Sequence, residues 1–150
     1  MPSYMDVIAK PIGSVETEVR KLPLAAGEVR AGFPSPSEDY LETPLNLVDH
    51  IVQHPSATFF VRAKGHSMEG DGIYDGDILV VDRSLEPEPD NVIIIAVDGE
   101  LTVKRYQLLG ARPYLIAGNA EYPPIPLSGH DCHVWGVVTH NVHRLIKGKL

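Results

Sequence analysis

The run Val92-Ile-Ile-Ile-Ala-Val97 passes through Asp98-Gly99 straight into Glu100-Leu-Thr-Val-Lys104. Nothing else in the chain limits the fold as tightly. An Asp-Gly pair between two β-type runs suits a two-residue turn with positive φ at both positions, whose twist matches that of the strands. It predicts a hairpin of 92–97 and 100–107. A two-residue loop also fixes the register, setting Val97 opposite Glu100 and Ile93 opposite Lys104. Further strands are expected at 58–64, 77–81, 114–117 and 134–143, where β-branched and aromatic residues cluster. A shorter one is expected at 15–21. One helix is expected over 42–53, with Thr43 as cap and Pro44 in the first helical position. Leu45, Leu47, Val48, Ile51 and Val52 form its apolar stripe, and Pro55 ends it. The chain therefore reads as mainly β: compact, partly irregular sheets with one short helix near 43–53.

With 150 residues and 43% hydrophobic content, the chain has material for one cored domain and an arm. The arm is placed at 1–40, where Pro11, Gly13, Pro23, Gly27, Pro34 and Pro36 interrupt any regular element, and the domain at 41–150. A helix-turn-helix does not fit in so broken a segment. A formal net charge of −7 argues against direct DNA binding. The single cysteine, Cys132, excludes an intrachain disulfide and suits a reducing cytoplasm. No apolar stretch approaches the roughly 20 residues that span a bilayer. The opening Met-Pro-Ser-Tyr-Met-Asp lacks the pattern of a signal peptide.

The candidate chemistry centres on Gly65-His66-Ser67-Met68. A strand-like run precedes it, and the Gly-rich Glu69-Gly-Asp-Gly-Ile-Tyr-Asp-Gly-Asp77 comes after it. Ser67 is thus presented by a sharp turn at a strand end, as a nucleophile would be. Gly65 is expected to let another backbone approach closely. The backbone amides of Ser67 and Met68 are candidates to bind an oxyanion. His66 adjoins Ser67, but adjacent side chains diverge on extended backbone, so it is poorly placed as the base. Lys104 is better placed. Set against 92–96 in an apolar environment, its ammonium is disfavoured and its pKa should fall, so that the neutral amine can accept the serine proton. The competing reading is a solvated strand lysine. In Ala31-Gly32-Phe-Pro-Ser-Pro36, the small Ala31 and Gly32 let the peptide lie close to a serine, and Pro34 and Pro36 remove amide donors and hold it extended. Taken alone, this stretch reads more readily as a plain Pro-rich linker than as a cleavage site.

Other groupings carry less. His130, Cys132, His133, His140 and His143 lack paired metal-ligand spacing. Asp71, Asp75 and Asp77 do not match a calcium loop and read as turn residues. No metal or cofactor is expected. Trp135 reads as core or dimer interface.

Several of these stretches, in one order, resemble the LexA/UmuD family of self-cleaving Ser-Lys peptidases. They are Gly65-His-Ser-Met68, Gly72-Ile-Tyr-Asp-Gly-Asp77 and Val97-Asp-Gly-Glu-Leu-Thr-Val-Lys104. The segment around Ala31-Gly32, His54-Pro-Ser-Ala-Thr-Phe-Phe-Val61 and Asn119-Ala-Glu-Tyr-Pro-Pro-Ile125 are similar to the UmuD branch in particular. The likeness runs from about residue 31 to the C-terminus; the first 30 residues match nothing firmly. It implies a LexA/signal-peptidase-like β fold, Ser67 as nucleophile, Lys104 as general base and Ala31-Gly32 as the scissile pair. It further implies a homodimer, cleavage promoted by a RecA–single-stranded-DNA filament in the DNA-damage response, and a Y-family, UmuC-like translesion polymerase as partner. Two other readings stand beside it: a non-catalytic binding module on a peptidase fold, and a signal-peptidase relative, which the missing membrane anchor disfavours.

Overall fold

The computed structural model describes residues 20–25, 31–32 and 41–148. They fall into two units, one drawn from 12–53 and the other containing 54–148.

In the smaller unit, β1 (Leu22–Ala25) pairs antiparallel with β2 (Leu41–Leu45), and the register slips between Leu22 and Leu24. A five-residue helix, α1 (Leu47–Ile51), comes next. This corrects the helix expected over 42–53. Residues 41–45 take the strand ladder instead, so Thr43 and Pro44 lie before the helix. The cap is Asn46, whose side chain accepts the Asp49 amide at 3.3 Å. Leu47 and Val48 are exposed. The strand expected at 15–21 lies, over 15–19, outside the described residues.

The larger unit is one antiparallel sheet of seven strands in the order β3-β4-β9-β5-β6-β7-β8. These are Thr58–Arg62, Ile78–Asp82, Cys132–Val142, Val92–Val97, Glu100–Leu109, Arg112–Ile116 and Ile125–Pro126, in that spatial order. The mainly β expectation holds, and six of the expected strands appear with ends shifted by a few residues at most. The hairpin register is the expected one, from Val97↔Glu100 through Ile93↔Lys104. Asp98 and Gly99 have φ of 50° and 83°, the positive pair that a two-residue turn requires.

The apolar run of β5 has a physical reason: the strand is covered on both faces. Ile93 and Ile95 pack with Leu115 and Val137. Ile94 points the other way, into Ala63, Met68, Ile73, Leu79, Val81 and Trp135. Alternate side chains of a strand face opposite sides, so burial on both erases the apolar/polar alternation. Trp135 belongs to this core, 7% exposed and edge-on to Phe59 at 6.4 Å between ring centroids.

Candidate active site

Ser67 stands in the connection between β3 and β4, residues 63–77. This segment makes almost no ladder and is held by specific hydrogen bonds. Gly76 N–H donates to Ala63 O and Ala63 N–H to Asp77 O, both at 2.8 Å. Gly65 N–H donates to Asp75 Oδ1 at 2.7 Å. Beyond Ser67, the Met68 side chain is sunk into the core, and its carbonyl accepts the Asp71 and Ile73 amides. The residue directly after the serine is thus anchored.

The expected close backbone approach occurs in this segment, but not at Gly65. A Cβ at Gly65 would meet nothing within 4 Å; the residue is needed for its φ of 96°. The tight contact is five residues on. Gly70 N–H donates to Gly118 O at 2.9 Å, and a Cβ at Gly70 would lie 2.0 Å from that oxygen.

Ser67 is half-buried and lines a cleft of about 560 Å³. One wall runs from Val61 to Lys64, across the end of β3. The other is the tip of the β5–β6 hairpin, from Gly99 to Val103, with Ile94 and Leu79 at the base. Lys104 is partly buried on β6. Its ammonium donates to Thr102 Oγ1 at 3.0 Å and to Val103 O at 3.2 Å, and both residues belong to the cleft wall. Burial pushes the Lys104 pKa below the ordinary lysine value. Ser67 thus lines the cleft itself, whereas Lys104 is not a lining residue: its ammonium is bonded to Thr102 and Val103 of the wall rather than to Ser67.

The other expected participants sort by their contacts. His66 is exposed and pairs with Glu69 at 2.6 Å, away from any role as base. Among the described residues, nothing accepts a hydrogen bond from the Ser67 or Met68 amides, the two oxyanion candidates. Ala31 and Gly32, in the smaller unit, form an exposed bend with Gly32 at φ 108°. Pro34 and Pro36 lie outside the described residues.

Sequence reasoning missed three supports. Thr102 receives the Lys104 ammonium. Arg105, next to Lys104, reaches Asp71 Oδ1 at 3.5 Å and Asp90 Oδ1 at 3.4 Å, and so ties the lysine's strand to the serine's segment. Gly118 receives Gly70. Only Thr102 had a usable signal, since residues two apart on a strand share a face.

A family profile described as Peptidase S24-like matches residues 23–139. The chain belongs to the Peptidase S24-like family. Among curated relatives, it is 42% identical to Protein MucA of Salmonella typhimurium over 128 residues, 84% of this chain and 87% of that protein. It is 44% identical to Protein ImpA of Shigella flexneri over 124 residues, 81% of this chain and 83% of that one. It is 37% identical to the LexA repressor of Shewanella sp. (strain MR-7), over 83% of this chain and 60% of the repressor. The resemblance to the UmuD-like branch of this S24 family is borne out. No helix among the described residues of this S24 protein is long and apolar enough to cross a membrane.

Proposed function

We propose that this S24 protein is a serine endopeptidase that acts on itself. Ser67 attacks the Ala31 carbonyl, Lys104 takes its proton and then delivers one to the Gly32 amine, and the amides of Ser67 and Met68 hold the oxyanion. Water then hydrolyses the acyl-enzyme, so that the arm at 1–31 is released from the 41–150 domain and its short lead-in. The observation that carries this reading is the cleft that Ser67 lines: the Lys104 amine, its pKa lowered by burial, is bonded to two residues of that cleft's wall. Tethering supplies much of the rate, because substrate and catalyst share one chain.

The likeness to MucA, ImpA and LexA supports a place in the cytoplasmic SOS response to DNA damage. There a RecA–single-stranded-DNA filament triggers cleavage, and the trimmed homodimer serves as accessory subunit of a Y-family, UmuC-like error-prone polymerase. Val134 and Val142, both exposed on β9, support that strand as the dimer contact. The test is mass spectrometry of purified protein incubated at alkaline pH. A new chain that begins at Gly32 is expected, absent in Ser67→Ala. An intact mass after long incubation favours the non-catalytic binding module instead.

A further inference from the structure

Asp77 closes the segment that carries Ser67, and it is only 2% exposed. A carboxylate buried this deeply is costly unless donors surround it. Three do. Its Oδ2 accepts the Tyr74 amide at 2.9 Å and Asn141 Nδ2 at 2.8 Å. Its Oδ1 is paired with His143 Nδ1 at 2.5 Å. Burial pushes the Asp77 pKa up, but the bonds from Tyr74, His143 and Asn141 outweigh it and hold the carboxyl below its ordinary value. Asn141 also donates to Gly72 O at 3.0 Å. The Tyr74 ring lies over the His143 imidazole with centroids 4.7 Å apart.

Two of these donors come from the far end of the chain, Asn141 within β9 and His143 just beyond it. The turn they hold at 72–77 in turn holds the approach to Ser67. Asp77 O accepts the Ala63 amide, Gly76 N–H donates to Ala63 O, and Asp75 Oδ1 takes the Gly65 amide. Ala63 and Gly65 are the fixed points from which the backbone reaches Ser67. None of Asp77, Asn141 and His143 lines the cleft.

We propose that His143, through Asp77, is a positioning residue for Ser67. The proposal rests on Ser67 being the nucleophile. With His143 gone, Asp77 Oδ1 loses its donor, the 72–77 turn relaxes, and the serine is aimed less well. Substrate-binding walls on β3, β5 and β6 stay in place.

The experiment tracks self-cleavage of the full chain from pH 7 to 10, at a temperature where circular dichroism shows every variant folded. Because misplacement of a reacting group by a fraction of an ångström costs rate steeply, His143→Leu should lower the cleavage rate constant about tenfold at every pH. The midpoint of the pH profile, set by Lys104, should not move. His143→Asn, whose amide puts a donor where Nδ1 was, should recover the rate to within about threefold of wild type. Asn141→Ala supplies a second break in the same network and should slow cleavage similarly, so the test stands even if His143→Leu does not fold. A wild-type rate in either disrupted variant overturns the proposal, as does a His143→Asn rate no better than that of His143→Leu. If wild-type protein stays intact, or Ser67→Ala cleaves as fast as wild type, the nucleophile assignment itself has failed. Cleavage that depends on Ser67 but ignores His143 and Asn141 leaves that assignment standing and removes only this proposal.

Discussion

The β5–β6 hairpin and the segment at 63–77 face each other across one cleft, yet they are built on opposite terms. The hairpin brings Lys104. It is a ladder of six register pairs closed by one two-residue turn, and its β5 side chains are buried on both faces. The segment brings Ser67. It has no ladder of its own and depends on single bonds to partners remote in sequence, Gly118, Asn141 and His143 among them. A ladder spreads its stability over many equivalent contacts, whereas a segment pinned at a few points concentrates it. Substitutions on the 63–77 side should therefore be felt in cleavage as well as in stability, and those at the hairpin turn mainly in stability.

The largest expected effect is common to both regions and defines the chemistry. Ser67→Ala and Lys104→Met should each abolish self-cleavage, read as no product beginning at Gly32. They should differ in stability. Ser67→Ala changes it little. Lys104→Met should raise the melting temperature at neutral pH. The folded-state lysine pKa lies below its unfolded value, so the folded protein is penalised for holding the charge below that folded pKa, and the penalty fades as pH rises towards the ordinary value. A drop in melting temperature for Lys104→Met would show that the side chain is held by favourable contacts outweighing its burial.

Next in size is the dependence on pH. Only the neutral amine can act as base, so the cleavage rate should climb about tenfold per pH unit until it levels off at the folded Lys104 pKa, below the ordinary lysine value. A profile that is flat between pH 6 and 10 removes Lys104 as the base and leaves the hairpin a purely structural wall.

Gly70→Ala then probes the pinned segment. Its Cβ would lie 2.0 Å from Gly118 O, so the backbone must shift. Overpacking of this kind costs about 1–3 kcal/mol, and the displaced serine should lower cleavage at least about tenfold. Denaturant unfolding and the cleavage rate, measured on the same protein, check both numbers.

The smallest effect belongs to the hairpin turn. Gly99→Ala meets open space but keeps a φ of 83°, so about 1 kcal/mol of strain is expected. Cleavage should stay within about twofold of wild type, because the β5–β6 ladder continues to hold Lys104. If Gly99→Ala instead impairs cleavage as much as Gly70→Ala, the contrast between the two regions does not hold.

The sequence by itself determined whatever depends on neighbours a few residues apart. Asp98-Gly99 set a turn, the turn set the register, and the register put Lys104 opposite Ile93, because each step comes from local dihedral preference and the two-residue strand repeat. The connection that carries Ser67 was legible from the strand-like run before it and the Gly-rich stretch after it. The start of the helix expected over 42–53 was misread because the apolar stripe is compatible with a helix throughout, while the partner strand that claims 41–45 lies some twenty residues upstream. Tertiary structure alone decided what fixes the serine. Gly70 looks like any turn glycine until Gly118 is folded against it. Asp77 looks like any turn aspartate until His143, 66 residues away, is brought to its carboxylate. Hydrogen bonds between residues so far apart leave no periodic trace along the chain, since their geometry exists only once the whole sheet has closed.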